Sequence, residues 1–495
     1  MSTVLGFDVG TSSSKGVLVS TDGRIVAAAT RAHSVERPDP SRVEMDPDVW
    51  WAEFRDTAAE LMASSDAPIE AIGLSGMGPC VALVDEAGAP VAPAALYGVD
   101  LRAVDQIEAL NDELGEETIF ARGDSRLTTQ AGGPKLRWFA ERMPDAFARA
   151  ARFHTPASLL VERLTGEYVM DRQSASQMTP LYDAQTQEWA DGWWDRVAGH
   201  LKRPRLAWAG DLAGVVTPTA ASTTGLPVGA PVTVGTIDAW AEGVSAGAVH
   251  DGDLLLMYGT TMFMISNASR RLRHPAMWGT SGVRAGQWNL AGGMATSGAV
   301  TDWLRELYGV PDFASLVAEA EASGPGAGGL LMLPYFSGER TPIQDPLARG
   351  VVCGLTVSHT RGDVYRAALE ATAYGVRHNL QAMADAGVQP TRVVAVGGGT
   401  TTALWPQIVT DVTGLAQVIP TQTIGAAFGD AWMAARLLGA KDAIDDWNPP
   451  ARVLIPDSGG DYDQMYGWYR ELHESTREIQ HGLARRGRAA VAATR

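Results

Sequence analysis

The chain has 495 residues, 45% of them hydrophobic and 20% charged, and a formal net charge of −17. That length exceeds what one hydrophobic core usually sustains and predicts two large domains, while the composition shows no bias toward disorder and the acidity argues against non-specific nucleic-acid binding. Cys80 and Cys353 are too few for a disulfide framework and lack metal-site spacing, and the N-terminal stretch has neither a basic region nor an apolar run of export or membrane length. The two cysteines are expected as small buried filler, and the protein as cytoplasmic with no membrane partner.

Residues 4–9, 15–20 and 25–29 read as a three-strand meander, with Thr21-Asp22-Gly23 as a hairpin turn. The first turn carries Gly10, Thr11 and Ser12. Glycine lets the backbone turn tightly, successive N–H groups there cradle an anion, and the hydroxyls add donors, so all three are candidates for phosphate contact. Asp8, at the strand end, is the candidate Mg²⁺-associated carboxylate. Lys15 either adds a cation to the same site or is a surface residue of the hairpin.

Asp46-Pro47 opens a helix whose apolar side carries Val49, Trp50, Phe54, Ala58 and Leu61. Residues 69–74 form a buried strand leading into Ser75-Gly76-Met77-Gly78-Pro79, with residues 81–84 as its expected partner. After Tyr97 the chain passes through Asp100 and Arg102 into a charged, exposed helix. Met77, Asp100 and Arg102 are substrate-side candidates, because carboxylate and guanidinium groups read sugar hydroxyls while Met77 packs beneath a carbon chain. Core filler for Met77, and a solvated turn pair for Asp100 and Arg102, are the competing readings. Helical spacing over 134–164 is interrupted near Pro144 and Pro156, and residues 168–206 read as loop and helix over a cleft. His154 and the other histidines have no ligand spacing and give no support for a zinc site.

Residues 232–235 form a strand ending at Thr236-Ile237-Asp238, ahead of a small-residue helix. Asp238 at that boundary is the candidate general base; an N-cap role uses the same position differently. Asp8 beside the phosphates and Asp238 at the acceptor hydroxyl give the division that phosphoryl transfer needs: a metal and backbone donors on the moving group, a carboxylate on the alcohol.

A boundary is expected near residue 250, giving domains 1–249 and 250–440 and a C-terminal extension over 441–495. Residues 254–265 repeat the first hairpin, with Thr260 and Thr261 in the turn, and a helix is expected to start at Gly298. The run Gly397-Gly398-Gly399, followed by Thr400, Thr401 and Trp405, permits close approach by a nucleotide at a strand-to-helix turn. Glu339-Arg340-Thr341-Pro342 is expected to act mainly as architectural support, with Asp345 capping the next turn. Residues 441–462 lack periodicity and are expected to wrap the surface; the tail from Arg477, with Arg485, Arg486 and Arg488, is basic and helical in character.

In combination, Asp8-Val9-Gly10-Thr11-Ser12, the strand ending at Asp238, Tyr258-Gly259-Thr260-Thr261, Gly338-Glu339-Arg340-Thr341-Pro342 and the Gly397 run resemble the FGGY carbohydrate kinases, particularly the xylulokinase-like branch. The resemblance covers about residues 4–440. It implies an α/β fold of two actin-like ribonuclease-H-type domains around an interdomain cleft, with sugar mainly on the first and ATP mainly on the second. It also implies ATP and Mg²⁺ as cofactors, Asp238 as base, Asp8 at the Mg²⁺, and Thr11, Ser12, Thr260 and Thr261 around the phosphates. Gly298, Gly398 and Gly399 would line the nucleotide site, and Met77, Asp100 and Asp238 match the sugar side. A homodimer is common among such kinases.

The sequence departs from a usual xylulokinase where Gly76-Met77-Gly78-Pro79 replaces Gln-Met-His, and where Tyr97-Gly98-Val99-Asp100-Leu101-Arg102 replaces Trp-Asn-Asp-x-Arg. The expected acceptor is therefore a small ketose, a deoxyketose or a polyol. Glycerol or erythritol kinase is an alternative, weakened by the missing Arg-Glu sugar loop. A non-enzymatic sensor of ATP and sugar is the alternative from a different class.

Overall fold

The computed structural model describes residues 2–457 and 460–493, with side chains described through residue 486. It divides into two compact units that are not contiguous in sequence. The first comprises the chain up to Asp251 with Asn267–Asn289 and Gln422–Pro449; the second comprises Gly252–Ser266, Leu290–Thr421 and the chain from Pro450 onward. The expected division into consecutive blocks differs from this, because two later segments return to the first unit.

The first unit opens with β1 (Thr3–Val9), β2 (Ser13–Ser20) and β3 (Ile25–Ala32), the expected antiparallel meander. Helix α1 (Pro47–Ala63) follows, with Pro47 in its first turn and the Asp46 carboxylate accepting from Asp48 N at 2.9 Å. Next come β4 (Ile69–Gly76), β5 (Leu212–Val215), β6 (Pro231–Thr233), β7 (Thr236–Ile237) and α2 (Asp238–Ser245). The sheet runs β5-β6-β4-β1-β2-β3, with β7 also pairing β4. Alternation along β1 splits its side chains between two faces. Leu5, Phe7 and Val9 pack with Trp50, Phe54 and Leu61 of α1, and Val4 packs in a separate cluster on the other side.

Residues 82–84 pair with Arg152–His154 instead of with β4. Both edges of β4 are already taken, by β1 on one side and by β6 and β7 on the other. Val81 and Leu83 instead join Leu136, Phe139, Phe153 and Trp194 in a separate core beneath the 168–206 region.

The second unit begins with β8 (Asp253–Tyr258) and β9 (Met262–Ala268), the second hairpin, followed by β10 (Trp288–Met294), α3 (Gly298–Leu307) and α4 (Phe313–Ser323). Helix α5 (Arg361–Asp385) starts in a Thr360/Asp363 capping box. Then come β11 (Arg392–Val396), α6 (Leu404–Thr413) and β12 (Gln417–Pro420). Helix α7 (Ala426–Leu437) belongs to the first unit, while β13 (Pro450–Leu454) and α8 (Tyr462–Ala493) complete the second. The sheet runs β10-β9-β8-β11-β12-β13. Strand β13 falls where only surface coil was expected. It is an outer strand with four of its five residues exposed, so no apolar alternation marks it. Arg485 and Arg486 are exposed on α8, and Arg488 lies outside the described side chains.

Helix α7 reaches the first sheet because two glycines stand side by side there. Gly6 of β1 and Gly73 of β4 are register partners. A Cβ on Gly6 would lie 1.9 Å from Ala427 O, and one on Gly73 would lie 2.0 Å from Asp430 O. The helix backbone therefore rests directly on the strands. Gly429 repeats the device toward α2, where a Cβ would meet Ala241 O at 2.3 Å.

Candidate functional site

Strand register assembles the polar centre of the first unit. Lys15 on β2 stands opposite Asp8 on β1, Asp8 stands opposite Ser75 on β4, and Thr236 on β7 stands opposite Ser75. Directly opposed residues share a sheet face, so these side chains form a row. Ser75 Oγ lies 3.0 Å from Asp8 Oδ1, and Lys15 Nζ donates to Ile424 O at 2.8 Å. Two residues beyond Thr236, Asp238 is the first residue of α2, and its Oδ1 accepts from Ala239 N at 2.7 Å. Ile237 holds the cap position, so Asp238 is inside the helix instead of being its N-cap.

Burial raises the Asp8 carboxyl above the ordinary range, and the charge of Asp238 raises it further. Burial likewise raises Asp238. Glu242, one helical turn after Asp238 on the same face of α2, is pushed up to about 7 by burial, with Lys15 opposing the shift. The row thus concentrates carboxyl groups poised between protonation states, the environment in which a general base works near neutral pH.

The Gly10 turn closes through Gly10 N to Ser13 O at 3.0 Å. His33 Nε2 lies 3.0 Å from Gly10 O while Nδ1 lies 2.9 Å from Glu53 Oε2, bracing the turn from behind. Thr11 Oγ1 pairs with Tyr97 OH at 3.0 Å, and Ser12 is exposed.

Of the residues expected on the substrate side, Met77 is fully buried in the apolar cluster of β1, β4 and α1, and its N–H donates to Val9 O at 2.7 Å. Asp100 and Arg102 are also buried, which removes the solvated-pair alternative. Asp100 accepts from Val43 N at 2.7 Å and from Arg102 Nε and Nη2, so both of its oxygens have internal donors. Arg102 also meets Glu44 at 3.0 Å and lies over the Trp138 ring.

Sequence reasoning missed a clamp between the Met77 and Gly98 loops. Gln130 Nε2 donates to Gly78 O at 3.2 Å, and Gln130 Oε1 accepts from Gly98 N at 3.1 Å. Thr129 Oγ1 donates to Gly98 O, and the buried Lys135 donates to Thr129 O. A Cβ on Gly98 would sit 2.2 Å from Gln130 Oε1, and one on Gly78 would sit 2.7 Å from Cγ1 of Ile237, next to Asp238. The glycines that replace the usual polar residues thus make room for the glutamine amide and the β7 end.

In the second unit, a cavity of about 420 Å³ gathers Thr260, Gly298, Gly398 and Gly399 with Phe313 and Trp405 on its lining. Thr261 neighbours Thr260 in the exposed hairpin turn and is not a lining residue. The three glycines of the 397 run differ in purpose. Gly397 has φ 96°, and a Cβ there would meet Tyr258 O at 2.5 Å; a Cβ on Gly399 would strike the Trp405 ring at 2.7 Å. Gly398 has nothing within 4 Å and faces open space. The hairpin carbonyls of Gly259 and Thr260 accept from Gly298 N and Ala299 N, tying the turn to the start of α3.

The Glu339 loop is architectural in this unit. Buried Glu339 accepts from Ala295 N and Arg340 N, both at 2.7 Å, and Thr341 bonds Gly293 and Asn379. Asp345 accepts from Leu347 N and Ala348 N, capping the turn as expected.

Glu242 was also missed, although its place four residues after Asp238 on one helix face was a signal for it, and Ser75 opens the 75–79 stretch. Asp430, 355 residues from its partner Ser75, carried no sequence signal.

Residues 3–244 match the N-terminal domain, and residues 254–438 the C-terminal domain, of the FGGY family of carbohydrate kinases. The chain is 29% identical to xylulose kinase of Escherichia coli K12, covering 97% of this chain and 99% of that protein. It is 31% identical to glycerol kinase of Thermus brockianus, over 97% of this chain and 100% of that one. The crystal structure of xylulose kinase from Rhodospirillum rubrum superposes with a TM-score of 0.90 at 31% identity, covering 97% of this chain and 100% of the other.

Proposed function

Because the chain belongs to the FGGY family of carbohydrate kinases, in its xylulokinase-like branch, and is an ATP-dependent carbohydrate or polyol kinase, we propose that it phosphorylates a terminal hydroxyl of a small ketose or related polyol. The carrying observation is the Lys15–Asp8–Ser75 row with the half-buried Asp238 carboxylate at the start of α2. Family membership and the kinase relatives set aside a binding-only role.

In this reading, the acceptor lies against the Met77 and Gly98 loops, whose spacing is held by the Gln130 amide. Asp238, held through one oxygen by Ala239 N, takes the proton of the acceptor hydroxyl as its oxygen bonds to the γ-phosphorus and the bond to ADP breaks. Thr260, Gly298, Gly398 and Gly399 hold the nucleotide in the second unit's cavity, with Thr261 beside them. Gly10 closes the turn on Ser13 O, Thr11 and Ser12 supply backbone and hydroxyl donors to the transferred phosphoryl group, and Lys15 supplies positive charge.

The donor set fits Mg²⁺. Among the described residues no group of three or more His, Cys, Asp or Glu suits a metal by itself. Magnesium characteristically keeps several waters and takes one or two carboxylates plus substrate phosphates, a demand that Asp8 alone meets. When bound, it would neutralise charge on the phosphates.

Gly78 and Gly98, packed against Ile237 and Gln130, support an acceptor other than D-xylulose. The glycerol kinase relative at 31% identity supports a second reading, a polyol acceptor. Among the described residues no helix is long and apolar enough to cross a membrane. With Cys80 and Cys353 both free thiols, this supports reaction in the cytoplasm. The test is ADP release over ketopentoses, ketohexoses, tetritols and glycerol. One sugar or polyol should stimulate turnover far above the rest in wild type, and Asp238→Asn should greatly reduce the stimulation while ATP still binds. Equal turnover by the variant would reject Asp238 as the base.

A further inference from the structure

In the first unit, one hydroxyl is shared by two carboxyl groups. Ser75 Oγ lies 3.0 Å from Asp8 Oδ1 and 2.5 Å from Asp430 Oδ2. A serine hydroxyl carries a single hydrogen. It donates to one of these oxygens and must accept from the other, so one of the two acids has to bring a proton of its own.

The surroundings decide which. Asp430 is fully buried, and its second oxygen, Oδ1, has no hydrogen-bond partner among the described residues. An ionised carboxylate there would leave a charged oxygen unsolvated. Burial raises the Asp430 carboxyl well above the ordinary range against the Ser75 hydrogen bond, and the two charged groups that act on it, Asp8 from β1 and Asp238 from α2, are both acidic and raise it further. Asp8 is half-buried, stands opposite Lys15, and turns Oδ2 toward the Gly10 turn, where a Cβ on Gly10 would be 3.9 Å away. Burial, Asp238 and Glu242 push the Asp8 carboxyl up as well, with Ser75 and Lys15 opposing, so the choice rests on geometry: the unpartnered Oδ1 and the 2.5 Å contact both belong to Asp430.

We propose that at neutral pH Asp430 is a neutral carboxylic acid whose O–H donates to Ser75, so that the single Ser75 hydrogen is committed to Asp8. Asp430 is then a positioning residue acting through Ser75. It holds Asp8 Oδ1 as an acceptor and leaves Oδ2 facing the phosphate turn, without adding a further charge beside Asp8, Asp238 and Glu242. The Gly6–Gly73 pair lets α7 lie close enough for Asp430 to reach Ser75. The consequence for catalysis rests on the proposed kinase reading; the protonation state does not.

Infrared difference spectroscopy of the full-length protein at neutral pH tests the relay. Wild type minus Asp430→Asn should show the carbonyl stretch of a protonated carboxylic acid. In Ser75→Ala that band should persist but move to higher frequency, because the acid has lost its acceptor. Absence of the band, or a band that Ser75→Ala leaves in place, would overturn the proposal. In turnover, Asp430→Asn, whose amide still donates to Ser75, should keep kcat within about threefold, while Asp430→Ala and Ser75→Ala should each lose about tenfold or more. Asn and Ala behaving alike at position 430 would also overturn it. Wild type lacking any acceptor-stimulated ADP release would reject the kinase reading and leave the infrared result standing.

Discussion

At the scale of single residues, the Gly397 run shows how one residue type serves two needs. Gly399 is required by packing against Trp405, whereas Gly398 meets nothing within 4 Å and lines the cavity proposed for the nucleotide. Gly398→Ala should therefore leave the melting temperature within about a degree of wild type and weaken ATP binding; Gly399→Ala should lower stability by about 1–3 kcal/mol through overpacking. Denaturant titration and nucleotide-binding calorimetry separate the two outcomes. For Asp238, the proposed general base, Asp238→Asn should cost about two to four orders of magnitude in kcat. Because burial raises this carboxyl, and the base works only when ionised, the acid limb of the kcat profile should lie above the ordinary carboxylate range. A limb at the ordinary value would show that another group carries it.

Among elements, the contact of α7 with the first sheet is set by backbone touching backbone. Gly6→Ala or Gly73→Ala would drive a methyl to about 2 Å from a helix carbonyl, which neither rigid element can relieve. Each should cost about 3 kcal/mol or more, read from urea unfolding, while Gly88→Ala, with φ 82° but open surroundings, should cost about 1 kcal/mol from backbone strain. The meander, α1, β4, α2 and both glycine-bearing hairpins were legible in the sequence because each combines apolar periodicity with a turn or cap residue. Of the candidate site, the positions just at or after strand ends were legible, as with Asp8, Asp238 and Thr260. What escaped was settled by partners distant in the chain. The 82–84 segment pairs with Arg152–His154, β13 is marked only by its neighbour β12, and Gln130 matters because of Gly78 and Gly98. Nothing local to those segments encodes the partner.

For the whole molecule, acidity and buried acids act together on stability. Glu242 and Glu339 are pushed up to about 7, and Asp171 to about 6, each mainly by burial. The unfolded chain gives up these protons near the ordinary carboxylate value, so between about pH 4 and 7 the folded state binds more protons and stability falls as pH rises. The formal charge of −17 adds repulsion in the same direction. The ligand-free melting temperature should therefore decline across that window, and Glu242→Gln should be more stable relative to wild type at pH 7.5 than at pH 5. A melting temperature rising steadily from pH 5 to 7.5 would contradict this account.

The late arrival of α7 also has a consequence for biosynthesis. Ile424, the carbonyl partner of Lys15, and Asp430, the partner of Ser75, are translated only after most of the second unit has left the ribosome. A nascent chain halted before Gln422 therefore exposes the bare Gly6–Gly73 groove and lacks both groups. Such truncated chains should bind chaperones and yield to protease in the first unit, and extension through Leu437 should restore resistance there.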